Sequence, residues 1–477
     1  MRTLLLLVGL LLCGCAKDAA TPPTAGPSGP TSGYYTVVFD LASSGAVASD
    51  VTAAHVGDER ALDVAAVDAT HLSMTVQGHA SAGPVDLVLT TAGGERVLKA
   101  AFTYKAPADP RFAVVVALGA SLTQGVQRGV PSFHGTLMGP AAQIARQLGA
   151  YFPLPLVVKD LFPGIEPKDI AAPPDCLAPD VEKLVADQSS SVFPKLQDPE
   201  TNKLSYAAAR VDPDIDVHDL AVGGARIADV LRGPKADNLA GNFVSHLVYD
   251  PFGEFLSPVT ESQIVRLEAL KPTLIISTDL FANDVVGGIL DSDTIDLAKA
   301  TPEDALFADI AAAVARLAAT KAEVFLANCP RPSTLPATAD KRHRMISAGQ
   351  AAADVDASIA SIDALGVKAN DVLATEAAKF PNVHIVDLYG GAQLMAQAGV
   401  DVGGVHLTSG KLGGLLGLDG VHFTDTGYAL LANLFVVAIN GALGTSVPQI
   451  DLSVVFATDE ESPAKLEAAG LHPSECQ

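Results

Sequence analysis

The chain has 477 residues, 49% of them apolar and only 18% charged, which allows a sizeable core and two or three domains. Its formal net charge of −23 excludes a phosphate-reading surface, so no nucleic-acid partner is expected. Trp is absent and Tyr and Phe are few, which argues against a binding face of stacked aromatic rings.

The chain opens on Met1-Arg2-Thr3, with one side-chain positive charge, followed by an apolar run from Leu4 to Leu12. That run is too short to span a bilayer and reads as the core of an export signal. Leu12-Cys13-Gly14-Cys15 then resembles a bacterial lipobox. The resemblance implies that residues 1–14 are removed and that Cys15 carries a lipid. Cys15 is followed by Ala16-Lys17 and not by Asp, so the expected location is the bacterial cell envelope, at the outer membrane. Residues 15–33 are rich in Pro, Thr, Ser, Gly and Ala and read as a flexible tether. Once the leader is gone, Cys176, Cys329 and Cys476 remain beside the lipidated Cys15. An exported chain allows one disulfide among those three, with the pair left open. No two are spaced like metal ligands.

Residues 34–106 read as short strands. Val85, Leu87 and Leu89 alternate with Asp86 and Val88, Gly93-Gly94 marks a turn, and Leu98 to Tyr104 forms the next strand. Gly83 to Leu89 with Ala101-Phe102-Thr103-Tyr104 resembles the end of an IPT/TIG domain, which implies a small all-β immunoglobulin-like sandwich. Ala106 to Pro110 is a linker.

From Arg111 the texture changes. Phe112 to Leu118 is a continuous apolar run, the mark of a strand buried on both faces. Thr273–Leu280, Glu323–Ala327 and Val383–Leu388 are further strands, and Ile215–Val222 is a fifth, interrupted by Asp216, His218 and Asp219. Helices are expected at Gly139–Leu148, Glu303–Ala319, Ala352–Lys379 with a break near Gly366, and Gly427–Asn440. Alternating strands and helices predict a parallel sheet covered on both faces, with ligands beyond its carboxyl ends. Tyr151–Pro213 and Arg232–Gln263 are long and weakly periodic, and a covering role near the site is expected of them. Residues 444–477 are left as a C-terminal tail.

Gly119-Ala120-Ser121-Leu122 follows directly on the first buried strand, where a tight turn can expose a serine hydroxyl. Such a hydroxyl needs an adjacent base to act as a nucleophile. Asp419-Gly420-Val421-His422 lies in a Gly-rich loop before the last long helix, where one turn can bring the carboxylate to the imidazole. Asp401 and His406, five residues apart, form a rival pair.

These runs resemble the SGNH hydrolase superfamily, whose members carry four short blocks. Gly119-Ala120-Ser121-Leu122 resembles the first, Gly-Asp-Ser-Leu, with Ala120 where Asp is usual. Asp219 to Ala225 resembles the second, with Asp219 where Asn is usual and Gly224 in the oxyanion-hole place. Phe281-Ala282-Asn283-Asp284 resembles the third, with Asn283 in the oxyanion hole and Phe281 where Gly is usual. Asp419-Gly420-Val421-His422 matches the fourth without change. Ala327-Asn328-Cys329-Pro330 and Thr424 to Tyr428 resemble runs in the bacterial lipoprotein branch of these enzymes.

The resemblance covers residues 111–443. It implies an α/β domain, a flavodoxin-like three-layer sandwich on a five-stranded parallel sheet. It further implies an esterase or lipase with Ser121 as nucleophile, His422 as base and Asp419 orienting it. The backbone amides of Ser121 and Gly224 and the Asn283 side chain would form the oxyanion hole. No metal or organic cofactor is implied. The expected partners are a small-molecule or lipid ester and, through Cys15, a membrane. A carbohydrate deacetylase of the same fold and a catalytically inactive surface-binding lipoprotein are the alternatives. A ring at Phe281 is expected to narrow the pocket or turn Asn283 away.

Overall fold

The computed structural model describes residues 28–42, 45–162, 164–173, 175–179, 192–290 and 294–476. The leader, Cys15 and the tether up to residue 27 lie outside the described residues. The chain divides into two compact units, the smaller within residues 1–105 and the larger mainly from Ala106 onward. Residues 30–34 and 78–81 belong with the larger unit.

In the smaller unit, β1 (Ser28–Pro30), β3 (Val51–Val56), β4 (Glu59–Arg60), β7 (Gly83–Thr91) and β8 (Gly94–Lys105) make a sheet in the order β1-β8-β7-β3-β4. A second sheet has the order β2-β6-β5, from β2 (Tyr35–Asp40), β5 (Leu62–Ala66) and β6 (His71–Val76). Pairing in β7–β8 slips between Val85 and Leu87, and such a bulge bends and twists a hairpin. The long ribbon curls with the second sheet around one core of Phe39, Leu72, Met74, Leu87 and Phe102. A curled half-barrel, rich in antiparallel pairing, takes the place of the immunoglobulin-like sandwich expected.

In the larger unit, β9 (Val115–Ala117), β10 (Leu274–Ser277), β11 (Glu323–Ala327) and β12 (Val383–Val386) form a parallel sheet in the order β12-β11-β10-β9. β9 and β10 are wholly buried, as their unbroken apolar runs require. The sheet therefore has four strands, which corrects the flavodoxin-like five-stranded expectation. Ile215–Val222 reaches β9 through a single parallel bridge, Ala117 to Asp219. There Ala117 N–H donates to His218 and its carbonyl accepts from Leu220, each at 2.9 Å. The polar residues in this stretch bury themselves in other ways: His218 Nδ1 bonds the Val115 carbonyl, and the Asp219 carboxyl accepts from Ala221 N–H. Ladder pairing stops after one residue.

The helices that matter for the site are α1 (Ser121–Gln124), α2 (Leu239–Tyr249), α3 (Ala282–Leu290), α4 (Glu303–Ala319), α5 (Pro336–Ser347), α6 (Ala352–Ala377) and α7 (Asp425–Leu443). α4 shows why they form. Leu306, Ile310, Ala313, Val314 and Leu317 recur at helical spacing on its buried face, and Glu303 and Asp304 in its first turn complement the helix dipole. α6 runs unbroken through Gly366, correcting the expected break. α7 is long and apolar enough to cross a membrane by composition, but most of it is packed inside the fold. Residues 444–476 carry two short helices, Leu452–Thr458 and Pro463–Ala468, and belong to the same compact unit. Cys176 and Cys476 form a disulfide, and Cys329 is free and buried.

Candidate functional site

Ser121 opens α1 just beyond the carboxyl end of β9. The turn that delivers it starts at Gly119, whose φ is +139°. A side chain there would also meet Asp279 Oδ1 at 2.6 Å, so the position demands glycine. Gln263 grips the Gly119 peptide at both ends, accepting from its N–H at 2.8 Å and donating to its carbonyl at 2.9 Å. Asp279, beyond β10, accepts from Ala120 N–H at 2.9 Å, Leu122 N–H at 2.7 Å and the Thr123 hydroxyl at 2.6 Å. Burial raises this carboxyl above its ordinary value against the pull of those donors. The two amides it takes flank Ser121 and leave the Ser121 N–H between them.

Asp419 and His422 lie in the loop before α7. Asp419 Oδ2 and His422 Nδ1 are 2.8 Å apart, and Oδ1 accepts from the N–H groups of Val421 and His422, also at 2.8 Å. Burial opposes the charge on Asp419, but the imidazole and the two amides together hold the carboxyl below the usual range. The imidazole is thus oriented with Nδ1 toward the carboxylate. Its Nε2 is buried and has no hydrogen-bond partner among the described residues, Ser121 included. Gly420 has φ +70° and packs so closely on α5 that a side chain would meet Ala337 N at 2.8 Å.

The expected oxyanion donors come from a loop, at Gly224, and from the start of a helix, at Asn283. Gln124 Oε1 accepts the Gly223 N–H at 2.8 Å, which braces the backbone next to Gly224. Asn283, in the first turn of α3, donates one amide hydrogen to the Ala225 carbonyl at 2.9 Å, and a side-chain amide has a second to offer. Its neighbour Asp284 points elsewhere, accepting from Ile227 N–H and the Thr301 hydroxyl, and burial pushes its carboxyl up to about 6. Phe281 does not narrow the pocket as expected. Its ring is 1% exposed in the main core and is not part of the cavity wall.

Ser121, Gly224, Asn283, Asp419 and His422 all line one cavity of about 570 Å³. No protein-family profile matches the chain, and no curated protein matches it. The two long stretches also reach this cavity: Phe162, Val192 and Leu196 come from the first, and Ala240, Phe243 and Val244 from the second. The rival pair, Asp401 and His406, is bonded at 2.8 Å across a hairpin of Val400–Val402 and Val405–Leu407 and is largely exposed, away from the cavity. The Cys329 thiol is pushed up to about 12 by burial, so it is held as the neutral thiol. Among the described residues no group of His, Cys, Asp and Glu is arranged to hold a metal.

Sequence reasoning missed the supports. Glu461 Oε2 accepts from Leu418 N–H at 2.8 Å, next to Asp419, while its Oε1 accepts from Arg128 Nε at 2.9 Å. Asp459 Oδ2 accepts from Thr426 N–H at 2.9 Å and from its hydroxyl at 2.6 Å, at the start of α7. Both acids lie in the segment read as a tail. Their only local signal is the acidic run Asp459-Glu460-Glu461, which by itself looks like a solvated surface.

Proposed function

We propose that the chain is a serine hydrolase of carboxylic esters. The observation that carries this reading is His422. Its Nδ1 is fixed on a buried carboxylate, and its unpartnered Nε2 belongs to the cavity that also contains Ser121. A buried polar atom without a partner is costly, so a site that leaves one open has a use for it.

Ser121 Oγ attacks the ester carbonyl while His422 Nε2 takes its proton. Asp419 stays ionised and stabilises the imidazolium. The carbonyl oxygen becomes negative and is held by the N–H groups of Ser121 and Gly224 and the second Asn283 amide hydrogen. His422 returns the proton to the departing alkoxide as the carbon–oxygen bond breaks. Water, deprotonated by the same imidazole, then adds to the acyl carbon, the bond from that carbon to Ser121 Oγ breaks, and His422 returns the proton to Ser121 Oγ as the acid leaves. Asp279 and Gln263 touch no reacting atom and serve by fixing the turn.

A fluorophosphonate probe tests the reading. Wild type is labelled and hydrolyses a nitrophenyl ester, and Ser121→Ala does neither. Labelling that survives in Ser121→Ala moves the nucleophile elsewhere. A wild-type chain that is neither labelled nor active leaves the inactive binding protein as the better description.

A further inference from the structure

The cavity has two kinds of wall. Beyond the residues assigned to the reaction, the polar side chains among the described residues of its wall are Asp340, Lys341 and Arg344 of α5. All three are engaged in holding the wall together. Asp340 accepts from the Lys411 ammonium and from Ala178 N–H, Lys341 donates to the Ile289 carbonyl, and Arg344 donates to the Ala178 carbonyl. Much of the remaining wall is apolar, with Val126, Val130, Phe162, Leu196, Phe243 and Val244 as its main side chains.

Such a wall discriminates between substrate classes. A sugar ring carries hydroxyls around its rim, and each one set against apolar carbon loses its hydrogen bonds to water without replacement. An acyl chain needs no such partners. Each methylene moved from water onto apolar wall improves binding by about fourfold when fully buried. A cavity of about 570 Å³ is also far larger than an acetyl group needs and lies within the range of roughly 300–1,000 Å³ that encloses whole small ligands.

We infer that this cavity binds an apolar acyl chain, so that the ester cleaved at Ser121 carries a medium-length fatty acyl group and not an acetyl group. The inference rests on the ester-hydrolase reading above and adds the substrate class to it. The two long stretches act as the specificity element, because they provide Phe162, Leu196, Phe243 and Val244.

The test uses the full chain and nitrophenyl esters of acetate, butyrate and octanoate. The expected result is a kcat/KM that climbs with chain length, by about tenfold or more from acetate to octanoate, well within the fourfold per methylene available from burial. Val244→Trp places a large ring in the wall, and its octanoate-to-acetate ratio should fall several-fold. The chain has no Trp of its own, so the new indole is also the sole reporter. In Ser121→Ala carrying Val244→Trp, ethyl octanoate should shift the indole emission to shorter wavelength, and ethyl acetate should not. A flat or falling chain-length series, or an emission that ignores octanoate, overturns the acyl assignment while leaving the hydrolase reading in place. Absence of turnover on every ester together with absence of phosphonate labelling overturns both, and the two failures are therefore separate results.

Discussion

At the scale of single residues, Asp279 is the side chain that most firmly holds the turn at Ser121, the proposed nucleophile. The first block of the SGNH resemblance usually carries Asp beside the serine, and this chain carries Ala120 there. Here a carboxylate reaches the same turn from just beyond β10, where it accepts from the amides on either side of Ser121 and from Thr123. Asp279→Asn keeps the shape but turns one acceptor into a donor, so at least one of those three contacts becomes a clash of donors. The serine then shifts against His422. A displacement of about 1 Å in a catalytic group costs on the order of 10²-fold in rate. The expected outcome is a kcat lower by about that factor with KM little changed. Phosphonate labelling should slow in parallel, and thermal unfolding should stay cooperative. A proportionate loss of folded protein would instead assign Asp279 to stability alone. The placement of Ser121 at the end of β9 and the contact of Asp419 with His422 were legible, because each depends on residues within one short run. Asp279 was not, because its partners are neighbours only after β9 and β10 pair.

At the scale of elements, the site owes its walls to segments without strong periodicity. The two long stretches bury each other around Tyr206, which stacks on His246 and Phe255 and meets Phe243 edge-on. Arg210 ties them further by donating to the Leu247 and Val248 carbonyls. Their pattern looked weak because each divides its apolar residues among several partners: Leu196 and Tyr206 pack with Leu247 of the other stretch, Val248, Tyr249 and Val259 join the main core, and Ile165 and Ile170 pack on Leu418 and Leu466. The C-terminal segment is a second case. Glu461 supports the Asp419 loop from a buried position, where desolvation outweighs the pull of Arg128 and pushes its carboxyl from 4.5 to about 7. A carboxyl raised in the folded state holds a proton that the unfolded chain has already lost. Stability therefore falls as pH climbs from about 4.5 to about 7 and levels off above. Glu461→Gln resembles the protonated acid and removes this dependence. Relative to wild type, the variant should gain on the order of 3 kcal/mol between about pH 4.5 and pH 8, read from urea unfolding at both values. A constant difference between the two proteins at all pH values would refute the raised carboxyl.

At the scale of the whole molecule, every described residue that lines the cavity belongs to the larger unit. That unit also claims residues 30–34: the Thr31 hydroxyl donates to the Gly149 carbonyl at 2.9 Å, and Tyr34 Oη accepts from Leu154 N–H at 3.0 Å. A chain that begins at Ala106 loses both bonds. It should unfold about 2 kcal/mol more easily, at about 1 kcal/mol per hydrogen bond, and still hydrolyse esters at close to the full rate. Turnover lost from a truncated chain that still unfolds cooperatively would show that the first 105 residues serve the chemistry. By itself the sequence determined the buried strands, the amphipathic helices and the short runs around Ser121, Asn283 and His422. Each of these depends on residues a few positions apart, and local spacing records that directly. Tertiary structure alone decided that Ile215–Val222 contributes one bridge and not a fifth strand, and that Cys176 pairs with Cys476. It also decided that Phe281 turns into the core and that a C-terminal carboxyl holds the Asp419 loop. In each of these cases the deciding quantity is the burial of a polar or bulky group among residues distant in the chain, and no local pattern carries that information.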